Sequence, residues 1–103
     1  MFSQKIFDLA VNCVENTIGY PFLGHSHKAT LVDARSILVC ILKDYGMSEG
    51  DLAKYMNISQ QGVNKLYNNA TYRFRSSSLL KRYYEMANNE FTTTLQRIHY
   101  SHN

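Results

Sequence analysis

Residues 46–68 read GMSEGDLAKYMNISQQGVNKLYN. Ser48, with Asp51 three residues on, has the spacing of a capped helix start, and Ser59 can cap a second helix. Leu52, Ala53 and Met56 supply a buried side for the first helix. Val63 and Leu66 open the buried side of the second. Two short helices that cross steeply over a tight turn need a small residue at the crossing and apolar residues at fixed offsets. Ala53 is the small residue, and Leu52, Met56, Ile58, Val63 and Leu66 fill the offsets. Asn57 occupies the turn, where glycine is most common but asparagine also tolerates left-handed backbone angles. The stretch predicts a helix-turn-helix over about residues 48–69.

The rest of the chain supplies a helical frame for that pair. Phe7, Val11, Val14 and Ile18 form one helical stripe, with Ser3 as N-cap and Gly19 as stop. "GYPFLG", residues 19–24, reads as a loop, with glycines at both ends and the chain's only proline between them. Thr30 and Asp33 have capping-box spacing. The face that follows, Ala34, Ile37, Leu38, Ile41, Leu42 and Tyr45, is wide enough to predict a central helix ending at Gly46. In the recognition segment Val63, Leu66, Tyr67, Ala70 and Phe74 continue one stripe, so that helix extends to about Arg75. Ser76 to Ser78 interrupt it and can cap a last helix, about 77–100, on which Leu80, Tyr84, Ala87, Phe91, Leu95 and Ile98 keep the period. "TYRFR" at 71–75 alternates briefly, but no hairpin turn flanks it. The expectation is one all-α domain over residues 1–103, a compact bundle of about five helices containing a helix-turn-helix.

Composition narrows the function. With 45 % apolar or aromatic residues in 103, a core is affordable. The net charge of +3 is small, but it is unevenly placed. In residues 1–47, Lys5, Lys28, Arg35 and Lys43 balance Asp8, Glu15, Asp33 and Asp44. No carboxylate lies between Lys54 and Arg82, while Lys65, Arg73, Arg75 and Lys81 all do. A one-sided basic surface is the footprint of a nucleic-acid binder. The longest apolar run, ILVCIL at 37–42, is too short for a bilayer, and the N-terminus lacks the succession of a signal peptide. Cys13 and Cys40 read as buried free thiols of a reducing compartment. A cytoplasmic, nucleoid-associated location follows as the expectation.

The helical wheel separates two faces on the second helix of the pair. With Val63 at zero, Leu66, Tyr67, Ala70 and Phe74 fall within about 60°, while Gln61, Asn64, Lys65, Asn68, Tyr72 and Arg75 cluster at about 100–200°. Gln and Asn pair bidentately with adenine, and Lys reaches guanine. Gln60, Gln61, Asn64, Lys65 and Asn68 are the base-edge candidates. Arg73, Arg75 and Lys28 are assigned to phosphates, with Lys81 and Arg82 similarly suited. Ser59 caps the helix and touches the DNA backbone. Gly62 costs helix stability, and close approach of another backbone, protein or DNA, is a reason to keep it.

Residues 31–63, LVDARSILVCILKDYGMSEGDLAKYMNISQQGV, resemble the C-terminal DNA-binding domain of the bacterial replication initiator DnaA, within the helix-turn-helix group that includes the Trp repressor. "VDAR" (32–35) and "ILKDYGMS" (41–48) carry the match, which covers roughly residues 5–70. The resemblance implies a helix-turn-helix in the major groove and a basic loop in the minor groove. Here that loop falls at HSHKA, 25–29, with Lys28 at a basic family position and His27 where arginine is usual. The family's acidic–histidine–threonine reading signature is replaced by Ser59, Gln60, Gln61 and Gly62, so the initiator's own sites do not carry over. No part of these 103 residues resembles the initiator's ATPase module, and they hold no phosphate-cradling glycine loop, so the expectation is a stand-alone relative of the DNA-binding part.

The expected partner is therefore double-stranded DNA, in replication or transcription control, with no enzymatic activity, no cofactor and no membrane. The alternative is a protein–protein interaction module that keeps the helical scaffold without DNA binding. His25 with His27, and His99 with His102, are pairs without a third ligand, so no metal site is assigned. The last helix either packs on its own domain, the preferred reading, or forms a homodimer.

Overall fold

Residues 37–42, ILVCIL, leave a helix no polar face to show to solvent, so other elements must surround it. The computed structural model describes the backbone of residues 3–23 and 29–101 and the side chains of 4–23 and 31–99. Five helices run in order: α1 (Ser3–Ile18), α2 (Ala29–Tyr45), α3 (Glu49–Met56), α4 (Gln60–Ser76) and α5 (Ser78–Ser101). Helix α2 touches all four others. Ile37 through Leu42 are each no more than 3 % exposed. The domain is all-α, with no strand among the described residues, and TYRFR continues α4.

Helix α5 packs mainly on α1 and also meets α2 and α4. Its stripe turns inward: Leu80, Ala87 and Phe91 are buried, and Leu95 packs against the same core. The Phe91 ring meets Tyr45 edge-on at 5.7 Å, and Asn16 donates to Glu90 at 3.1 Å. The stripe that raised the homodimer alternative is thus occupied largely within the chain.

Chain reversals follow the expected residues, with one revision. Gly19 (φ +88°) stops α1, donating its N–H to the Glu15 carbonyl at 2.7 Å. Gly46 (φ +114°) ends α2 in a Schellman motif. There the Met47 N–H reaches the Leu42 carbonyl at 2.9 Å and the Gly46 N–H reaches Lys43 at 3.0 Å. Phe22 plugs the loop after α1 into the core, and Arg35 Nε donates to its carbonyl at 3.3 Å. The capping box expected at Thr30 and Asp33 would put Thr30 at the N-cap of α2. Thr30 already lies inside α2, and the Asp33 carboxylate is held by Arg73.

Asn57 is the only non-glycine residue with positive φ among those described, at φ 58° and ψ 47°. It closes α3: the Ile58 N–H returns to the Ala53 carbonyl at 3.0 Å, and the Asn57 N–H reaches Lys54 at 3.3 Å. A β-carbon without asparagine's local hydrogen bonding pays more in this region. Asn57→Ala is expected to lower stability by about 1 kcal/mol, and Asn57→Gly to change it by less than about half that. Urea denaturation checks this. Equal stability of the alanine variant and the parent would contradict the left-handed turn.

Candidate nucleic-acid interface

Two serines start the helices of the pair. Ser48 Oγ accepts the Asp51 N–H at 3.1 Å, and Ser59 Oγ accepts the Gly62 N–H at 3.0 Å. Each satisfies a backbone donor that the first helical turn leaves open. Leu52 and Ala53 of α3 and Val63 and Ala70 of α4 are buried. Met56, Leu66, Tyr67 and Phe74 pack against the core from its margin. Ile58 departs from its expected burial. It follows the left-handed residue, lies in the turn and is 38 % exposed, with Cδ1 3.4 Å from where a Cβ on Gly62 would stand.

Of the two backbones whose approach would explain Gly62, protein or DNA, the fold bears on the first. The atoms nearest to its vacant Cβ position are side-chain atoms of Ile58 and Ser59, at 3.4–3.6 Å. These are ordinary van der Waals distances. Among the described residues no protein backbone approaches it closely, so their packing does not require glycine there.

The outer face of α4 is exposed as the wheel predicts. Gln60, Gln61, Asn64, Lys65, Asn68, Tyr72 and Arg75 all lie on the surface. Gln60 sits over the start of α3, its amide nitrogen 3.7 Å from the Cβ position of Gly50. Lys65 lines a groove of about 870 Å³ that the turn residues Asn57 and Ile58 share with Val32 and Arg35 of α2. Asn64 lies toward α3. Lys43 Nζ pairs with Glu49 at 2.9 Å, and its hydrogen bond holds the Glu49 carboxyl below its usual range, with a further hydrogen bond from Asn64. The same Lys43 ammonium stands 4.6 Å from the centre of the Tyr67 ring.

Arg73 is placed differently from its phosphate assignment. Its guanidinium turns back to α2 and meets Asp33 Oδ2 at 2.9 Å. Its Nε is buried without a hydrogen-bond partner among the described residues. One turn earlier, Asn69 Nδ2 donates to Ser36 Oγ at 3.1 Å, and Ser36 Oγ donates to the Val32 carbonyl at 3.0 Å. These ties stitch α4 to α2 beside the apolar stripe. Sequence reading missed them because each joins residues 33 or 40 positions apart. The available signal was the i, i+4 placement of Asn69 and Arg73 on the margin of that stripe. Lys28 lies outside the described residues, as do His25, His27 and His102.

Burial pushes the Cys13 thiol up to about 11 and the Cys40 thiol up to about 12, so both stay protonated at neutral pH. Burial, and then donation of its hydroxyl to Asp44 at 2.6 Å, raises the pKa of Tyr84. Among the described residues no three metal-ligating side chains gather. The chain matches no protein-family model, no curated protein and no solved structure.

The Asp33–Arg73 pair is partly exposed, so its coupling is modest. A double-mutant cycle with Asp33→Ala and Arg73→Ala is expected to give about 1 kcal/mol of coupling in chemical denaturation. The exchange Asp33→Arg with Arg73→Asp should recover most of the loss. Additive single effects would show that the pair contributes nothing to holding α4 on α2.

Proposed function

We propose that this chain binds double-stranded DNA, with α4 seated in the major groove. One observation carries the proposal. Gln61, Lys65, Asn68, Tyr72 and Arg75 recur at i, i+4, i+7, i+11 and i+14 as one exposed stripe, opposite the stripe that α4 buries. Amides and a lysine on the second helix of a helix-turn-helix suit base edges in the groove. The basic run from Lys54 to Arg82, with no carboxylate inside it, supplies the attraction to phosphates. The resemblance to the DNA-binding domain of the replication initiator adds support and suggests a role in replication or transcription control.

In this arrangement Gln60, Gln61, Asn64, Lys65 and Asn68 face base edges. Arg75 holds a phosphate, and Ser59 brings the capped start of α4 against the DNA backbone. The resemblance assigns Lys28, which precedes α2 in the sequence, to a further DNA contact. Arg73 instead fixes α4 through Asp33.

The test is a fluorescence-anisotropy titration against mixed duplexes over a salt series. Affinity should fall steeply as salt rises. Arg75→Ala should weaken all sequences alike and flatten the log–log salt slope by about 0.9. Lys65→Ala should weaken binding and relax site preference, read by selection from a random duplex library. No binding at low salt would leave a protein-interaction role for the scaffold. Gly62→Ala gives an independent reading. It should raise thermal stability by about 0.5–1 kcal/mol and weaken DNA binding several-fold. Greater stability with unchanged affinity would place the duplex away from the start of α4.

A further inference from the structure

We propose that Tyr72 is a DNA-backbone contact, its phenol donating a hydrogen bond to a phosphate at the edge of the groove. The inference rests on α4 being the groove helix. Tyr72 is 72 % exposed, more than any other exposed large apolar or aromatic side chain described. Four of the eight tyrosines have ring or hydrogen-bond partners: Tyr55 packs on Phe7, Tyr45 on Phe91, Tyr67 lies under Lys43, and Tyr84 bonds Asp44. The Tyr72 side chain takes no hydrogen-bond or ring partner among the described residues.

Its position along α4 defines what it can reach. At about 1.5 Å per residue, Lys65 and Asn68 lie about 6 and 10 Å beyond Gln61, while Tyr72 and Arg75 lie about 16 and 21 Å beyond it. The major groove is about 12 Å wide, and a recognition helix points its N-terminal residues at the bases. Gln61 to Asn68 therefore fit within the groove, whereas Tyr72 and Arg75 meet its sugar–phosphate wall. At such a wall a phenol has two uses: its hydroxyl donates to a phosphate oxygen and its ring packs on deoxyribose.

A neutral donor has a signature that a cation lacks. Counterion release follows charge neutralisation, so Tyr72 adds affinity without adding salt dependence. Backbone contact also carries no base information.

The experiment compares the parent chain, Tyr72→Phe, Tyr72→Ala and Arg75→Ala on several unrelated duplexes across a salt series. Melting curves of both Tyr72 variants should match the parent, since the side chain is exposed. Tyr72→Phe is expected to lose about tenfold in affinity on every duplex with an unchanged salt slope, and Tyr72→Ala to lose more. Arg75→Ala should flatten the slope. Binding by Tyr72→Phe equal to the parent would overturn the inference while leaving the DNA reading intact. A loss confined to one duplex sequence would also overturn it, making Tyr72 a base reader. No binding by the parent itself at low salt would reject the DNA reading, and this inference with it.

Discussion

Six successive residues with almost no exposure, Ile37 to Leu42, constrain everything else in this fold. A surface helix buries one stripe, and a helix buried all round must be enclosed. Enclosure of α2 takes four neighbours, and the chain supplies α1, α3, α4 and α5. Burial of these side chains is the dominant favourable contribution to a small domain. It also commits the inner side of each neighbour. Once Val63 and Ala70 of α4 are buried, Gln61, Lys65, Asn68 and Arg75 on the opposite side must face away. The outward stripe is thus a consequence of the core.

Apolar packing alone sets that orientation loosely, because hydrophobic contact is not directional. The polar ties beside the stripe supply direction. Asn69 to Ser36 and Arg73 to Asp33 lie one turn apart on α4, so together they resist rotation of α4 about its axis. At its other end, the Ser59 cap and the left-handed Asn57 fix where α4 begins. A helix held at both ends presents its outer side chains in one register, which lowers the ordering cost of any binding it performs.

Most of the fold could be read from residue spacing, and the reasons are local. Ser48, Ser59 and Asn57 act on backbone within a few residues of themselves, so their capping and turn roles follow from sequence neighbours. The stripes of α2, α4 and α5 follow from the helical period. The failures are of two kinds. At Thr30 and Asp33 the capping spacing was present, but α2 begins before Thr30 and the Asp33 carboxylate pairs with Arg73. Arg73 itself looked like one more cation of a basic window, and its distant carboxylate has no signature in local sequence. The candidate face of α4 was legible as a set of exposed residues. How each one is engaged, such as Asn64 beside Glu49, depends on where α3 lies.

Those pairings change the electrostatics of the candidate interface. Lys54, Lys65, Arg73, Arg75, Lys81 and Arg82 are the cations of the basic window. Asp33 neutralises Arg73, and Glu49, at the start of α3, takes Lys43 from α2. Lys65 and Arg75 on the α4 stripe stay exposed, as do Lys54 on α3 and Lys81 and Arg82 on the first turns of α5. Nonspecific DNA affinity rises with the number of phosphates neutralised. Such exposed cations set the salt dependence, and neutral groups add affinity without adding to it. The exposed stripe carries both kinds of group: the amides of Gln61 and Asn68 and the phenol of Tyr72 beside the cations Lys65 and Arg75.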